Sequence, residues 1–245
     1  MVEPFREPFV VHTYGTDAFL TLATPALTGF LMEAAGLHAQ ALNVGVEGLW
    51  ARGLSWVIGR LRLELDRPIR LGETLEIETW PSGIDRLAAL RDFRVTAGGE
   101  EVARASTQWF VLDLTTRRPV KLEGVLDPRF PRDGAHAVAF TPGKLPELAT
   151  WDFQKRFHIR YADMDVNGHV NNGSYLAWAL EAVPREVWAG LRLSALEVQY
   201  LAECREGSAI LSRQSLTGEA AYAHAIVREE DGKELARATT RWVKR

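Results

Sequence analysis

The chain has 245 residues, 47% of them hydrophobic and 25% charged. These are the proportions of an ordinary soluble globular protein, and they exclude a disordered tail, a collagen-like repeat and a small disulfide scaffold. With 29 basic residues against 32 acidic ones the formal net charge is −3, and neither half of the chain is a polycation, so no nucleic-acid partner is expected. The single cysteine, Cys204, allows no intramolecular disulfide and fits a reducing, cytoplasmic compartment. The start Met1-Val2-Glu3-Pro4-Phe5-Arg6 lacks the basic and apolar regions of a signal peptide. No apolar run approaches the length of about 18 residues that would suggest a membrane span.

In chain order, the first predicted helix covers residues 25–43, where Leu27, Phe30, Leu31, Ala34, Leu37 and Ala41 recur at helical spacing and Pro25 suits the first turn. Strands with strict alternation follow at Arg60–Leu65 and Leu75–Glu78. Gly98-Gly99 marks a hairpin turn. Five of the eleven prolines then fall between positions 119 and 146, together with Gly124, Gly134 and Gly143, which reads as a connector. A strand is expected over 153–161, a second helix over 172–183 with Pro184 ending or kinking it, and another hairpin at Asp231-Gly232.

The two halves resemble each other. Val102–Trp109 matches Leu235–Trp242 in five of eight positions, and blocks at 61–64 and 70–73 line up with 196–199 and 205–208. One helix and several alternating strands per half give an α+β fold, with a helix packed on an antiparallel sheet in each repeat. The expected organisation is an N-terminal unit at 1–122, a Pro-rich connector at 123–150 and a C-terminal unit at 151–245.

Chemistry concentrates in Asp163-Met164-Asp165-Val166-Asn167-Gly168-His169-Val170-Asn171-Asn172, between the strand at 153–161 and the second helix. A helix N-terminus offers unpaired N–H groups to a carbonyl oxygen gaining negative charge. Asp165 and His169, four residues apart, are placed to converge there, with the aspartate orienting or charge-stabilising the imidazole. The start of the first helix, Ala23–Thr28, holds none of these groups. The plain alternative is that Asp and Asn here serve only as caps and turn formers.

Asp165-Val166-Asn167-Gly168-His169-Val170-Asn171-Asn172, with Tyr175 following, resembles the signature of hotdog-fold thioesterases. In a duplicated chain, with Glu203-Cys204 downstream, it is similar to the acyl-ACP (acyl carrier protein) thioesterases of plants and bacteria. No plant-like transit segment precedes the domain, so a bacterial-type or mature enzyme is expected. The resemblance implies a double hotdog, two antiparallel sheets each wrapped around one long helix. It further implies hydrolysis of fatty acyl-ACP to free fatty acid, acyl-chain selection in the first unit and no cofactor.

Carried over residue by residue, it makes Asp165, Asn167, His169 and Glu203 the catalytic network. Glu203 and His169 would activate water, Asn167 would orient water or thioester, and Asp165 would hold the network in place. In a second scheme Cys204 attacks and forms an acyl-enzyme. Water attack is the expected route, since a thioester is already activated. Strand alternation puts Cys204 with Leu196, Val198 and Tyr200 and Glu203 on the opposite face, unless a bulge near Leu201-Ala202 redirects Glu203 inward. Cys204 also suits a small buried apolar role.

Other features are less specific. His12, His38, His136, His158 and His224 lack ligand spacing, so no metal site is expected. His38 is expected to pack or face solvent, and Trp50, Trp56, Trp80 and Trp109 to belong to the core, though each could line an acyl channel. Arg67 with Arg70, and Arg117-Arg118 with Lys121, are candidate contacts for an acidic carrier protein. The alternative functions are an acyl-CoA thioesterase, a hotdog hydratase or dehydratase, and a non-catalytic acyl-binding protein. Either a monomer or a homodimer is compatible with the sequence.

Overall fold

The computed structural model describes residues 2–131, 134 and 136–245. Two compact units divide the chain, Met1–Ala139 and Phe140–Arg245. The division falls inside the stretch 123–150, whose described residues form neither helix nor extended strand.

The first unit contains β1 (Phe5–Val10), α1 (Thr24–Ala41), the short α2 (Val46–Trp50), β2 (Leu54–Leu65), β3 (Thr74–Asp85), β4 (Ala88–Ala97) and β5 (Glu100–Asp113). Its strands are antiparallel neighbours in the order β1-β3-β4-β5-β2. The second unit contains β6 (Phe153–His158), α3 (Asn172–Glu181), α4 (Arg185–Gly190), β7 (Leu191–Tyr200), β8 (Ala209–Gly218), β9 (Ala221–Arg228) and β10 (Glu234–Lys244). It repeats the same order, β6-β8-β9-β10-β7. Small details repeat as well. Trp109 Nε1 donates to Thr107 Oγ1 at 2.9 Å, and Trp242 Nε1 to Thr240 Oγ1 at 3.1 Å.

The long helix of each unit packs on its own sheet, α1 against β1 and β3 and α3 against β8 and β9. In α1, Leu27, Leu31, Ala34, Ala35 and His38 form the buried stripe, the spacing that a one-faced helix requires. Pro25 stands in its first turn. Asn43 follows its C-terminus at φ 59°, the left-handed stop that asparagine tolerates. In β3, Leu75, Ile77 and Thr79 are buried while Glu76 points out.

β4 departs from alternation. Six of its first seven residues are buried, because the chain after Gly134 crosses its outer face. There Ala137 N donates to Asp92 Oδ2 at 3.0 Å and Val138 N to Ser106 Oγ at 3.1 Å. A strand covered on both sides has no polar face to show in sequence.

Several expectations shift. The strand expected over 153–161 stops at His158, and Tyr161–Asp163 forms a 3-10 helical turn. The cause is the Asp163 carboxylate, which takes the backbone N–H of Arg160 at 2.8 Å and its guanidinium at 2.8 and 3.1 Å, coiling the chain. The second helix ends at Glu181, and Pro184 caps α4. Both glycine hairpins form, with Gly98 at φ 59°, Gly99 at 84° and Gly232 at 69°.

Trp56 and Trp109 meet edge to face at 6.4 Å and pack on the cluster of Val44, Leu49 and Val111. Trp50 is 40% exposed and therefore lies outside the core. Trp80 lies under the Arg94 guanidinium. Arg67 is held by Glu73 at 2.8 Å and Glu100 at 3.1 Å, which neutralises its charge locally, whereas Arg70, Arg118 and Lys121 are exposed.

Candidate active site

Between β6 and α3, residues 165–169 form a tight loop built on its own first residue. Asp165 N donates to His169 O at 2.7 Å, and Gly168 N to Asp165 O at 3.1 Å. The Asp165 carboxylate then turns inward on the loop, where Oδ1 accepts the backbone N–H of Asn167 at 2.8 Å and of His169 at 3.1 Å. Oδ2 receives Asn167 Nδ2 at 3.4 Å. This is the local bonding that makes aspartate a turn former.

Gly168 sits at φ 70°, and a Cβ built there meets nothing within 4 Å. Gly168→Ala therefore costs backbone conformation alone, about 1 kcal/mol. Urea unfolding of the two proteins measures it, as a lowered midpoint at constant slope.

The loop is pinned at both ends. Val170 N donates to Cys204 O at 3.1 Å, and Asn171 N to Asp163 O at 2.7 Å. Asn171 Oδ1 caps α3 by accepting Gly173 N at 2.8 Å, so part of the asparagine-rich run serves the helix terminus.

These anchors bring His169 to the segment after β7. Its Nε2 lies 3.3 Å from Glu203 Oε2, with 15% of the His169 side chain and 36% of the Glu203 side chain exposed. The spacing of Asp165 and His169 predicts that the aspartate orients or charge-stabilises the imidazole. The carboxylate facing the imidazole is instead that of Glu203, and every bond of Asp165 stays within the loop backbone and Asn167.

β7 ends at Tyr200, after which Leu201 N and Ala202 N both donate to Leu235 O, at 2.8 and 3.2 Å. Two residues against one carbonyl break the alternation, as in a bulge. Beyond it Glu203 reaches His169, while Cys204 is 2% exposed.

An aromatic wall backs the loop. The Tyr175 ring meets Trp178 at 5.6 Å and Tyr200 at 5.8 Å, both edge to face, and Tyr200 Oη donates to Asn172 O at 3.3 Å. Burial pushes the Tyr175 hydroxyl well above the usual tyrosine range, and the nearby Cys204 and Glu203 add to it. Burial does the same at Tyr200. Both hydroxyls stay protonated at neutral pH. Sequence reasoning gave no role to Trp178 or Tyr200, although the alternation of Leu196, Val198 and Tyr200 carried the signal for Tyr200. Among the described residues no group of three or more His, Cys, Asp or Glu is placed to hold a metal ion.

The model of the acyl-ACP thioesterase N-terminal domain matches residues 3–126, and that of the C-terminal domain matches residues 147–244. The chain belongs to the acyl-ACP thioesterase family. Within that family it is 29% identical over 257 residues to the chloroplastic palmitoyl-acyl carrier protein thioesterase of Cuphea hookeriana, covering 97% of this chain and 62% of that one. It is 27% identical over 278 residues to the oleoyl-acyl carrier protein thioesterase 1 of Arabidopsis thaliana, covering 98% and 76%. The chain thus spans about three fifths of the length of its Cuphea relative. The crystal structure of an acyl-ACP thioesterase from Bacteroides thetaiotaomicron superimposes with a TM-score of 0.88 at 24% identity, covering 98% of each chain. The fold is the double hotdog of this thioesterase family, and the His169–Glu203 pair lies in the part matched by its C-terminal domain.

Proposed function

We propose that the protein hydrolyses the thioester of fatty acyl-ACP and releases free fatty acid. The observation that carries this reading is the His169–Glu203 pair, 3.3 Å apart, held by a hydrogen-bonded loop beside the N-terminus of α3 in a chain of this family. The pair takes a proton from water as the water oxygen bonds to the thioester carbonyl carbon. The carbon–sulfur bond then breaks, and the proton goes to the departing thiolate of the carrier. Asn167 orients the water or the thioester, and Asp165 holds the loop. Cys204, at 2% exposure, is a packed residue in this scheme, since a nucleophilic thiol needs access and an electropositive setting.

The first unit, whose loop before α1 at residues 17–21 carries neither histidine nor glutamate, binds the acyl chain between its helix and sheet. The exposed Arg70, Arg118 and Lys121 supply positive charge toward the acidic carrier and speed encounter. The free cysteine fits a reducing cytoplasm.

The test is free fatty acid release from a panel of acyl-ACPs and the matching acyl-CoAs. Higher kcat/KM on the carrier-protein substrates supports the reading. Preference for CoA turns it into an acyl-CoA thioesterase, and no release from either carrier sinks the assignment.

A further inference from the structure

We propose that the loops at 12–22 and 69–73 of the first unit form a lipid-docking surface, which seats the protein on a bilayer interface through Tyr14, Phe19, Leu20 and Leu71. These side chains are 84%, 42%, 58% and 37% exposed. Single exposed apolar residues are ordinary, whereas a group of them on one surface marks a place of contact. The two loops are one piece. Leu71 N donates to Leu20 O at 2.9 Å, Leu22 N donates to Ile69 O at 2.7 Å, and Thr21 forms a β-bridge with Arg70. Ala23 N donates to Gly15 O at 2.9 Å and Gly15 N to His12 O at 3.0 Å, which ties the turn carrying Tyr14 to the same frame. The Tyr14 ring stacks on His12 at 5.5 Å.

The second unit builds the same frame without these side chains. Asp165 Oδ1 accepts Asn167 N and His169 N as Asp17 Oδ1 accepts Phe19 N and Thr21 N. Val170 N donates to Cys204 O as Leu22 N donates to Ile69 O, and Asn171 N to Asp163 O as Ala23 N to Gly15 O. Gly207 and Gly72 follow at φ 88° and 84°. Through these matches Tyr14, Phe19, Leu20 and Leu71 correspond to Ala162, Asn167, Gly168 and Glu206. Large apolar side chains in one repeat stand where the other has small or polar ones, so the frame does not call for them. Leu20 makes the point most strongly. It holds φ 56°, a conformation that leucine disfavours, where Gly168 holds 70°. A strained residue that still keeps more than half of its surface in water points to a use outside the chain.

The chemistry of the surface selects a bilayer. The acids in these two segments are Asp17 and Glu73. Asp17 is turned onto Phe19 N, Thr21 N and Thr21 Oγ1, and Glu73 is held by Arg67 and Arg70 N. The Arg70 side chain is exposed, so the charge left at the patch is positive, which suits lipid phosphate. Aliphatic loop tips with a tyrosine beside them match an interface, where hydrocarbon lies inside and an amphipathic ring sits at the headgroups. An acidic protein partner draws on several cations, and this patch offers one. A second copy of the chain needs more area. Four partly covered side chains present on the order of a few hundred Å², below the roughly 500 Å² per partner that a specific protein interface must clear. The proposed hydrolysis gives the surface a purpose, because a released fatty acid is an amphiphile that leaves water for lipid. That purpose rests on the proposed function, whereas the docking itself does not.

The test is flotation of the full chain with vesicles of phosphatidylcholine alone and of phosphatidylcholine mixed equally with phosphatidylglycerol. Wild type is expected to float with both, and more with the anionic mixture, the excess disappearing in high salt. Leu20→Gly is expected to lower the partition coefficient about tenfold, while Tm holds or rises because glycine relieves the backbone. Phe19→Asn, Leu20→Gly and Leu71→Glu combined, which install the side chains of the second repeat, are expected to lower it by about 10²-fold, with kcat and KM on soluble acyl-ACP unchanged.

Failure of wild type to float with either vesicle overturns the inference, as does undiminished flotation of the triple variant. A rise of about tenfold in KM for acyl-ACP in the triple variant overturns it in favour of a carrier-protein surface. Loss of a wild-type dimer in that variant, read by light scattering, overturns it in favour of contact between copies. Flotation needs no turnover, so a wild type that releases no fatty acid sinks the functional reading and leaves the docking surface to be decided by the vesicles.

Discussion

Glu203→Gln slows acyl-ACP hydrolysis by about 10²–10⁴-fold, the usual worth of a positioned acid–base group, while Cys204→Ala stays within about threefold of wild type. Glutamine keeps the size and reach of the side chain, so the loop and the 3.3 Å approach to His169 Nε2 are preserved. What it lacks is the ability to hold a proton and to stabilise an imidazolium, the two properties asked of Glu203. Cys204 contributes to the loop through its backbone carbonyl, which accepts Val170 N, and alanine keeps that bond. Steady-state release of fatty acid, together with mass analysis of the quenched enzyme, measures both variants. Collapse in Cys204→Ala with a trapped acyl-enzyme in wild type would replace direct water attack with a covalent relay.

The second large effect is on stability. The protein loses stability as pH falls from about 6.5 toward 4, by an amount on the order of a few kcal/mol. Two histidines cause it, one in each unit. His38 is 4% exposed on α1, and Arg91 Nη1, donating to Thr79 Oγ1 at 3.0 Å, lies 3.0 Å from its Nδ1. An arginine is always a donor, so Nδ1 must accept and the ring is neutral. Burial first, and the Arg91 charge second, hold its pKa down at about 4. His224 is 1% exposed, bonded through Nε2 to Thr240 Oγ1 at 2.9 Å, with no partner for Nδ1 among the described residues. Burial holds it at about 4 as well.

In the unfolded chain both histidines titrate near 6.5. Between pH 6.5 and 4 the unfolded state therefore carries protons that the folded state refuses, and the equilibrium moves toward unfolding. Above 6.5 the full stability is present. Aspartates held low, such as Asp127 at about 2 beside Arg129, lose their contribution below this window. Urea midpoints across pH 7 to 4 are expected to fall steadily, and His38→Gln with His224→Gln flattens the slope. An unchanged slope in the double variant would mean that other groups carry the titration.

Much of this was legible from residues alone. Helix α1 announced itself by Leu27, Leu31 and Ala34 at helical spacing, and the hairpins by glycines that tolerate positive φ. The loop at 165–169 was visible because its polar groups cluster beside an apolar helix. Less was visible where geometry and sequence part company. Strand alternation placed Glu203 away from Cys204 and left its direction open, because nothing local says that β7 stops at Tyr200. The buried polar pair of His38 and Arg91 joins residues 53 positions apart, beyond any periodicity.

In the first unit Asp17 Oδ1 accepts Phe19 N at 2.9 Å and Thr21 N at 3.1 Å, as Asp165 Oδ1 accepts Asn167 N and His169 N, and a single aspartate is the only chemical trace of this loop in the sequence. The offset between the repeats also changes, from 148 at the loops to 135 at the following strands, because α1 is longer than α3 and the segment from the helix to the next strand is also longer in the first unit. The two helix starts share no polar group. The shared group lies six residues earlier.

Having two unlike units in one polypeptide also changes how the protein can evolve. Where a pair is made from identical subunits, every substitution is installed twice, and a change that improves one surface must be tolerated by its mirror image. Here the copies are encoded separately. Phe19 and Thr21 occupy positions that hold Asn167 and His169 in the other repeat, so the first copy lacks the reactive groups that the second carries. If the first unit holds the acyl chain as proposed, residues facing α1 are free to drift toward new hydrocarbon shapes without disturbing the proton-handling pair. A lineage can retune what it accepts while conserving what it does.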